Sequence, residues 1–333
     1  MKKAVALIFG SQSAEHDVSV LGYEYIFRIL KDSKYKILSV YIDQKGDWFV
    51  LDKQVKTPVF PCRFNGKGML KSIDNKCFYI DVAIPILHGD GGESGEIQGI
   101  LKSVNIAFVG ADSFTSAICL DKHYTKCIAS DLNIPVTDWV SFSSFIDAGE
   151  ALKICLEKLV FPMIIKPRRL GSSLGIYIVK NQSEFLNAYP KAGSTGNGLV
   201  IVENLLESKR ELECAFYQAL GTVQISPPGE VISNGFYGYN EKYLSNTSTV
   251  ALADIDKDTK LEIAEYNRRL SDACGLRHLG RIDYFLTEKG VLFNEINTFP
   301  GFTSASLYPK LLNAMGISTK DALAAFIEDA AKC

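Results

Sequence analysis

The sequence predicts an α/β and α+β fold in three units: a parallel α/β unit first, a small α+β unit next, and an antiparallel-sheet unit last. Three observations predict it. The apolar run at residues 4–9 passes through a Gly/Ser stretch into a segment with Val18, Leu21, Tyr25 and Ile29 at helical spacing, the opening of an α/β layer. Two short apolar runs, 162–167 and 176–180, flank a glycine-containing loop and read as a hairpin. Residues 281–297 alternate polar and apolar side chains on both sides of a turn, the pattern of a half-exposed antiparallel pair. With 333 residues, 47% of them hydrophobic, the chain can supply each unit with a core.

In order, β-branched runs at 37–42 and 79–87 continue the first unit, and 106–110 reads as its last strand, so a boundary is expected near residue 110. The second unit, 111–202, holds a helix through Asp121 and Lys122, another over 148–159, and the hairpin, two strands able to fold over a ligand. The third, 203–333, is expected to begin near Glu203, with strands at 199–203 and 211–219. A loop over 229–250, a helix with Ile263, Tyr266, Leu270 and Ala273 on one face, and the 281–297 hairpin follow. That loop carries Phe236, Tyr237, Tyr239 and Tyr243, and a long aromatic loop in a compact unit is expected to be a water-excluding lid.

Charge narrows the function. Lys+Arg number 36 against 38 Asp+Glu, and a net charge of -2 offers no long-range pull on nucleic acid or an anionic membrane. A small-molecule ligand is expected instead. The early apolar run falls far short of the roughly 20 residues a membrane helix needs, so a cytoplasmic protein is expected. Eight cysteines without a CxxC pair read as reduced small hydrophobes, not as a disulfide framework or a zinc site.

The chemistry concentrates in Arg281-Ile282-Asp283 and Asn294-Glu295-Ile296-Asn297. Side chains two apart share a strand face, and a three-residue loop, Glu288-Lys289-Gly290, would set Asp283 opposite Glu295 and Arg281 opposite Asn297. Two carboxylates and an amide oxygen then form a hard-oxygen site suited to Mg²⁺, with an arginine placed for a phosphoryl group. An ion-paired solvent face fits the same alternation. The loop from Arg168 to Gly175 follows Lys166-Pro167 and offers glycine backbone N–H groups, the Ser172 and Ser173 hydroxyls and one compact cation, a phosphate cradle in composition. A plain glycine–serine turn fits that composition too.

Together these pieces resemble the D-alanine:D-alanine ligase family of the ATP-grasp superfamily along nearly the whole chain. The matching stretches are Ser13-Ala14-Glu15-His16-Asp17-Val18-Ser19, His88-Gly89-Asp90-Gly91-Gly92-Glu93-Ser94-Gly95-Glu96-Ile97-Gln98-Gly99, Asp121-Lys122, Lys166-Pro167 with Gly171-Ser172-Ser173, and Tyr239-Asn240-Glu241-Lys242-Tyr243. Arg281-Ile282-Asp283 and Asn294-Glu295-Ile296-Asn297-Thr298 with Pro300-Gly301-Phe302-Thr303 complete the series.

The resemblance implies an ATP-grasp fold with ATP between two antiparallel sheets. Lys122, Lys166 and the Ser173 loop would meet phosphates, Glu203 and the backbone near Leu206 adenine, and Glu211 ribose. Asp283, Glu295 and Asn297 would hold two Mg²⁺ ions, with Mn²⁺ a possible substitute. Arg281, Lys242 and the N–H of Gly301 would stabilise the charge that develops on transferring oxygens. Glu15 would anchor the first substrate's ammonium in a triad with Ser172 and Tyr243, His88 would lie beside that substrate, and Ser306 and Leu307 would receive the second substrate's carboxylate. The implied reaction makes D-alanyl-D-alanine for peptidoglycan precursors through an acylphosphate. A homodimer is the default for such enzymes.

Three positions depart from the family pattern: Ser11 where glycine is usual, Ser94 where aspartate is usual, and Gly22 where serine is common. Leu307 stands where relatives from vancomycin-resistant bacteria often have arginine, which favours D-alanine as second substrate. A D-serine- or D-lactate-using ligase is the alternative within the class, and a non-catalytic ATP-binding protein the alternative outside it.

Overall fold

A computed structural model describes residues 2–52, 55–143, 146–206, 209–232, 249–303 and 306–332. The first sheet has eight strands in the order β6-β5-β4-β3-β2-β1-β7-β8. Its parallel half is β1 (Ala4–Gly10), β2 (Lys36–Ile42), β7 (Val82–Ile86) and β8 (Ala107–Phe108). Val5, Ala6, Leu7 and Ile8 are 0% exposed, because β1 is paired on both edges and covered on both faces. A strand so enclosed reads as an unbroken apolar run, which is why the opening residues were legible. Helices α1 (His16–Leu30) and α2 (Glu96–Ser103) belong to this layer.

The other half of this sheet is antiparallel, an extension of the expected parallel unit. It comprises β3 (Trp48–Asp52), β4 (Val55–Phe64), β5 (Lys67–Ser72) and β6 (Cys77–Tyr79). In β4 only Val59 is buried, and Pro58 and Pro61 interrupt it, so neither periodicity nor β-propensity marks the strand.

The second sheet has the order β11-β10-β12-β9, built from β9 (Trp139–Phe142), β10 (Met163–Pro167), β11 (Tyr177–Val179) and β12 (Val200–Asn204). The β10–β11 hairpin is as expected. Strand β12, expected to open the third unit, instead pairs antiparallel with β10 and β9, so Glu203 belongs to the second sheet. Buried Val200, Ile201 and Val202 hold it there. Helix α5 (Ala148–Leu156) and the unanticipated α6 (Gln182–Thr195) share this core; Pro190 and the closing Gly193-Ser194-Thr195 conceal α6 in the sequence.

The third sheet runs β16-β15-β13-β17-β18, with β14 (Thr222–Ile225) also pairing with β13 (Arg210–Ala219). Strands β15 (Gly229–Ile232) and β16 (Thr249–Leu252) occupy the two ends of the stretch expected to be an irregular lid. Its centre, with Phe236, Tyr237, Tyr239, Lys242 and Tyr243, lies outside the described residues. The last hairpin is β17 (Leu279–Thr287) and β18 (Gly290–Asn297).

The segment expected as one helix through Asp121 is two, α3 (Ser113–Leu120) and α4 (Lys122–Asp131). Asp121 is extended and caps α4 by accepting from His123 N–H. Both pack on the third sheet with α7 (Lys257–Cys274). Helices α8 (Leu307–Ala314) and α9 (Thr319–Ala330) share a core with β1 and β7, tying the first sheet to the third. Among the described residues no helix is long and apolar enough to cross a membrane, and the cysteines are unbridged.

Candidate active site

The hairpin of β17 and β18 sets Asp283 opposite Glu295 and Arg281 opposite Asn297, the register read from the sequence, but by another route. Thr287 pairs with Gly290, leaving only Glu288 and Lys289 in the loop. A two-residue loop alone would place Asn294 across from Asp283. A β-bulge between Asp283 and Tyr284 absorbs Asn294, brings Glu295 opposite and returns the polar side chains to one face.

On the other edge of β17, Glu213 of β13 lies opposite Asp283, so Glu213, Asp283 and Glu295 cross three strands in a row. Arg281 is the counter-ion: its Nε is 2.8 Å from Asp283 Oδ1 and 2.9 Å from Glu213 Oε2, and an Nη is 2.7 Å from Asp283 Oδ2. Asn297 Nδ2 donates to Asp283 Oδ2 at 3.1 Å. Lys122, at the start of α4, reaches Glu295 at 3.4 Å and donates to Leu170 O at 2.8 Å, which joins the third sheet to the Gly/Ser loop. Glu211 points to the same side of β13 as Glu213 and pairs with Lys209 at 2.9 Å.

The Gly/Ser loop is held from below by Asp121, which is 0% exposed. Arg168 binds both of its carboxylate oxygens, at 3.0 and 2.7 Å, and Arg169 Nε adds a contact at 2.8 Å. Burial alone would raise the Asp121 carboxyl, yet the arginines hold it below its ordinary range. Ser172 and Ser173 adopt φ of 52° and 59°, and Gly175 follows at 69°, a left-handed turn closed by Leu174 N–H donating to Gly171 O at 3.1 Å. Ser172 Oγ donates to Glu15 Oε1 across the gap to the first unit. A Cβ on Gly89, whose φ is 65°, would stand 2.4 Å from Glu15 Oε2 and push that carboxylate from its place.

Near Glu15 lie two further groups. Burial holds the His88 imidazole below its ordinary value, and the charges of Glu15 and Arg281 both act on it. Glu93 accepts from Gly89 N–H at 3.1 Å and from Phe299 N–H at 3.2 Å, and burial with the Glu15 charge pushes its carboxyl up to about 7. Ser306 precedes α8 without a side-chain cap to it, its hydroxyl instead meeting Thr303 Oγ1 at 2.8 Å, and Leu307 follows as the first helical residue. Gly301 is half-buried in the loop before it, and Leu206 half-buried after β12.

Lys166 and Glu203 form a second cluster, with Glu203 Oε2 3.2 Å from Lys166 Nζ and 3.5 Å from Lys126 Nζ. Thr137 also donates to Oε2, at 2.9 Å. Burial alone would raise the Glu203 carboxyl, but Lys126 and Lys166 hold it at about 2. The other oxygen, Oε1, is buried and has no hydrogen-bond partner among the described residues.

The structure thus brings together Glu15, Ser172, Lys122, Arg281, Asp283, Glu295 and Asn297, and sets Lys166 with Glu203. Tyr243 and Lys242 lie outside the described residues. The sequence reading missed Asp121, Lys126, Thr137 and Glu213 as parts of the site. Two of these carry a usable signal: Lys126 is four residues after Lys122 on one helix face, and Glu213 two after Glu211 on one strand face. The donor sets fit nucleotide and metal. Lys122 and Lys166 beside the Gly/Ser loop suit phosphates, the orphaned Glu203 Oε1 suits a buried donor, and the oxygens of Asp283, Glu295 and Asn297 suit a hard divalent cation.

Known proteins resemble this chain along nearly its whole length. Residues 4–111 match the family model described as D-ala D-ala ligase N-terminus, and residues 128–328 the one described as D-ala D-ala ligase C-terminus. The D-alanine–D-alanine ligase of Thermoanaerobacter sp. (strain X514) is 34% identical over 95% of this chain and 93% of its own length. That of Borreliella burgdorferi (strain ZS7) is 34% identical over 96% and 93%. Among solved structures, D-alanyl-alanine synthetase A from Vibrio cholerae superposes with a TM-score of 0.88 at 30% identity, covering 100% of this chain and 99% of that one. The VanG D-Ala:D-Ser ligase from Enterococcus faecalis gives 0.87 at 30%, covering 99% and 100%. The chain, with its ATP-grasp fold, belongs to the D-alanine–D-alanine ligase family.

Proposed function

We propose that the protein is an ATP-dependent ligase that joins two D-alanines into D-alanyl-D-alanine, a peptidoglycan precursor. The observation that carries this reading is the convergence of Arg281, Asp283, Glu295 and Asn297 on one sheet face, bridged by Lys122 to the Gly/Ser loop. The cations now paired with the carboxylates mark where positive charge is favoured.

In this reading Lys122, Lys166 and the loop around Ser172 and Ser173 hold the ATP phosphates, and Glu203, Leu206 and Glu211 hold its nucleoside. Asp283, Glu295 and Asn297 hold Mg²⁺, or Mn²⁺ in its place, and bound metal supplies charge neutralisation as phosphate oxygens gain negative charge. Glu15, oriented by Ser172, takes the first D-alanine's ammonium, with His88 alongside. The first carboxylate attacks the terminal phosphorus of ATP as ADP leaves, and the second amino group, in its neutral form, then displaces inorganic phosphate from that acyl carbon and gives up a proton to it. Arg281 and the Gly301 N–H stabilise the oxygens that gain charge, and no covalent enzyme intermediate is needed. The Ser306 hydroxyl and the N–H of Leu307, the first residue of α8, receive the second carboxylate. The reading places the work in the cytoplasm, with a homodimer as the expected assembly.

A second reading, a ligase that uses D-serine, draws support from the likeness to the D-Ala:D-Ser ligase, which is as strong as that to the D-alanyl-alanine synthetase. Leu307, an apolar residue 7% exposed at the start of α8, favours the smaller apolar side chain of D-alanine. Mass spectrometry of products formed from ATP, Mg²⁺ and equimolar D-alanine, D-serine and D-lactate tests both. D-alanyl-D-alanine as the main product is expected; a D-seryl or D-lactyl product in excess would replace the first reading by the second.

A further inference from the structure

Lys126 takes no part in the reaction above, yet it is 1% exposed, and burying an ammonium is costly unless something compensates it. Its Nζ donates to Thr137 Oγ1 at 2.7 Å, and that hydroxyl donates onward to Glu203 Oε2 at 2.9 Å. Lys126 and Lys166 also approach Oε2 directly, at 3.5 and 3.2 Å. Three donors therefore converge on one carboxylate oxygen, while Oε1, equally buried, meets none among the described residues. An ionised carboxylate only accepts hydrogen bonds, so Oε1 is a preset acceptor for a donor that arrives with a ligand.

We propose that Lys126, acting through Thr137, is a positioning residue that locks the Glu203 carboxylate so that Oε1 selects a purine bearing an amino group at position 6. The inference deepens the nucleotide reading and rests on it. Lys126 can do this where Lys166 cannot. Lys166 lies at the end of β10 beside the Gly/Ser loop and is given to phosphate in the reading above, whereas Lys126 is enclosed by Thr137 and by Trp139, whose ring centroid is 5.9 Å from Nζ. Lys126 thus keeps Glu203 charged and oriented after Lys166 is drawn away. A carboxylate held this way rejects a 6-oxo purine by lone-pair repulsion and gains nothing from a purine with hydrogen at that position.

The test is binding, not turnover. Affinities of the full chain for ATP and for purine riboside triphosphate, which lacks the 6-amino group, are measured by calorimetry with Mg²⁺ present. The unmodified protein is expected to prefer ATP by about tenfold or more, the worth of one buried hydrogen bond to a charged group. Lys126→Met should bring that ratio close to one by weakening ATP while leaving the analogue nearly unchanged. Thr137→Val should narrow the ratio and Thr137→Ser restore it, and this pair carries the test if Lys126→Met does not fold. Equal weakening of both nucleotides, or an unchanged ratio in the folded variants, would overturn the role given to Lys126. An unmodified protein that binds both nucleotides equally would remove the adenine reading of Glu203 and the proposal with it.

Discussion

Two clusters of lysine and carboxylate, one on the second sheet and one on the third, are wired differently. At Glu203 three donors meet a single oxygen, the cluster is nearly sealed, and the second oxygen is left without a partner among the described residues. At Asp283 both oxygens are engaged, by Arg281 and Asn297, and the side chains of Arg281 and Asp283 keep 16% and 11% of their surface exposed. The first arrangement fixes an acceptor and waits for one donor. The second holds exchangeable cations on oxygens that a metal ion can claim. A buried, over-determined carboxylate is suited to reading a ligand, and a neutralised row of carboxylates to carrying charge through a reaction.

The comparison breaks most visibly at Asp283. Asp283→Asn should lower kcat about a thousandfold, far beyond its modest cost in melting temperature, since the hairpin keeps its pairing while the charge that meets metal and the two-point pair with Arg281 are lost. Glu203→Gln should act on the other parameter, raising KM for ATP about tenfold with a smaller change in kcat, as the amide no longer draws both lysines. Glu213 sharpens the contrast, because it touches Arg281 and is not expected to touch substrate. Glu213→Gln should loosen the guanidinium and cost about tenfold in kcat with KM for ATP unchanged.

Acid stability separates the clusters again. Glu203 has its carboxyl at about 2 in the fold against an ordinary 4.5, so the unfolded chain binds the extra proton between those values. Its stabilising contribution is complete above about pH 4.5 and disappears as pH falls towards 2. Denaturant titrations across that window should show a shallower loss of stability in Glu203→Gln than in the unmodified chain. The smallest effect belongs to a control outside both clusters. Ser11 sits at φ 104°, a region glycine occupies freely and serine does not, and Ser11→Gly should stabilise the protein by about 1 kcal/mol while sparing KM for ATP.

Much of this was legible in the sequence, for reasons that differ by element. Strand β1 announces itself because full enclosure leaves no polar position, and β17 and β18 because half-exposure leaves every second one polar. The register of that hairpin was read correctly with the wrong turn: an internal bulge at Asn294 does the work assigned to a longer loop, and alternation cannot tell the two apart. The antiparallel strands β3, β4 and β6 were hidden because they bury few side chains, β4 also carrying Pro58 and Pro61, and β5 because its buried residues include no β-branched or aromatic side chain. Strand β12 was recognised but assigned to the wrong sheet, since apolar runs do not name their partners. The departures from the family pattern became physical in the structure. Ser11 adopts the glycine-like φ the pattern implies, and a Cβ on Gly22 would meet Ile86 Cγ2 at 3.0 Å, so the chain has filled the space a serine would use.

The most direct test of the division between the two clusters is a single set of ATP titrations, with D-alanine-dependent phosphate release measured for the unmodified chain, Asp283→Asn and Glu203→Gln. Saturating ATP should return Glu203→Gln to nearly full rate and leave Asp283→Asn inactive. If excess ATP rescues Asp283→Asn, or if Glu203→Gln stays slow at every concentration, the two carboxylates do not divide the work of chemistry and recognition in this way.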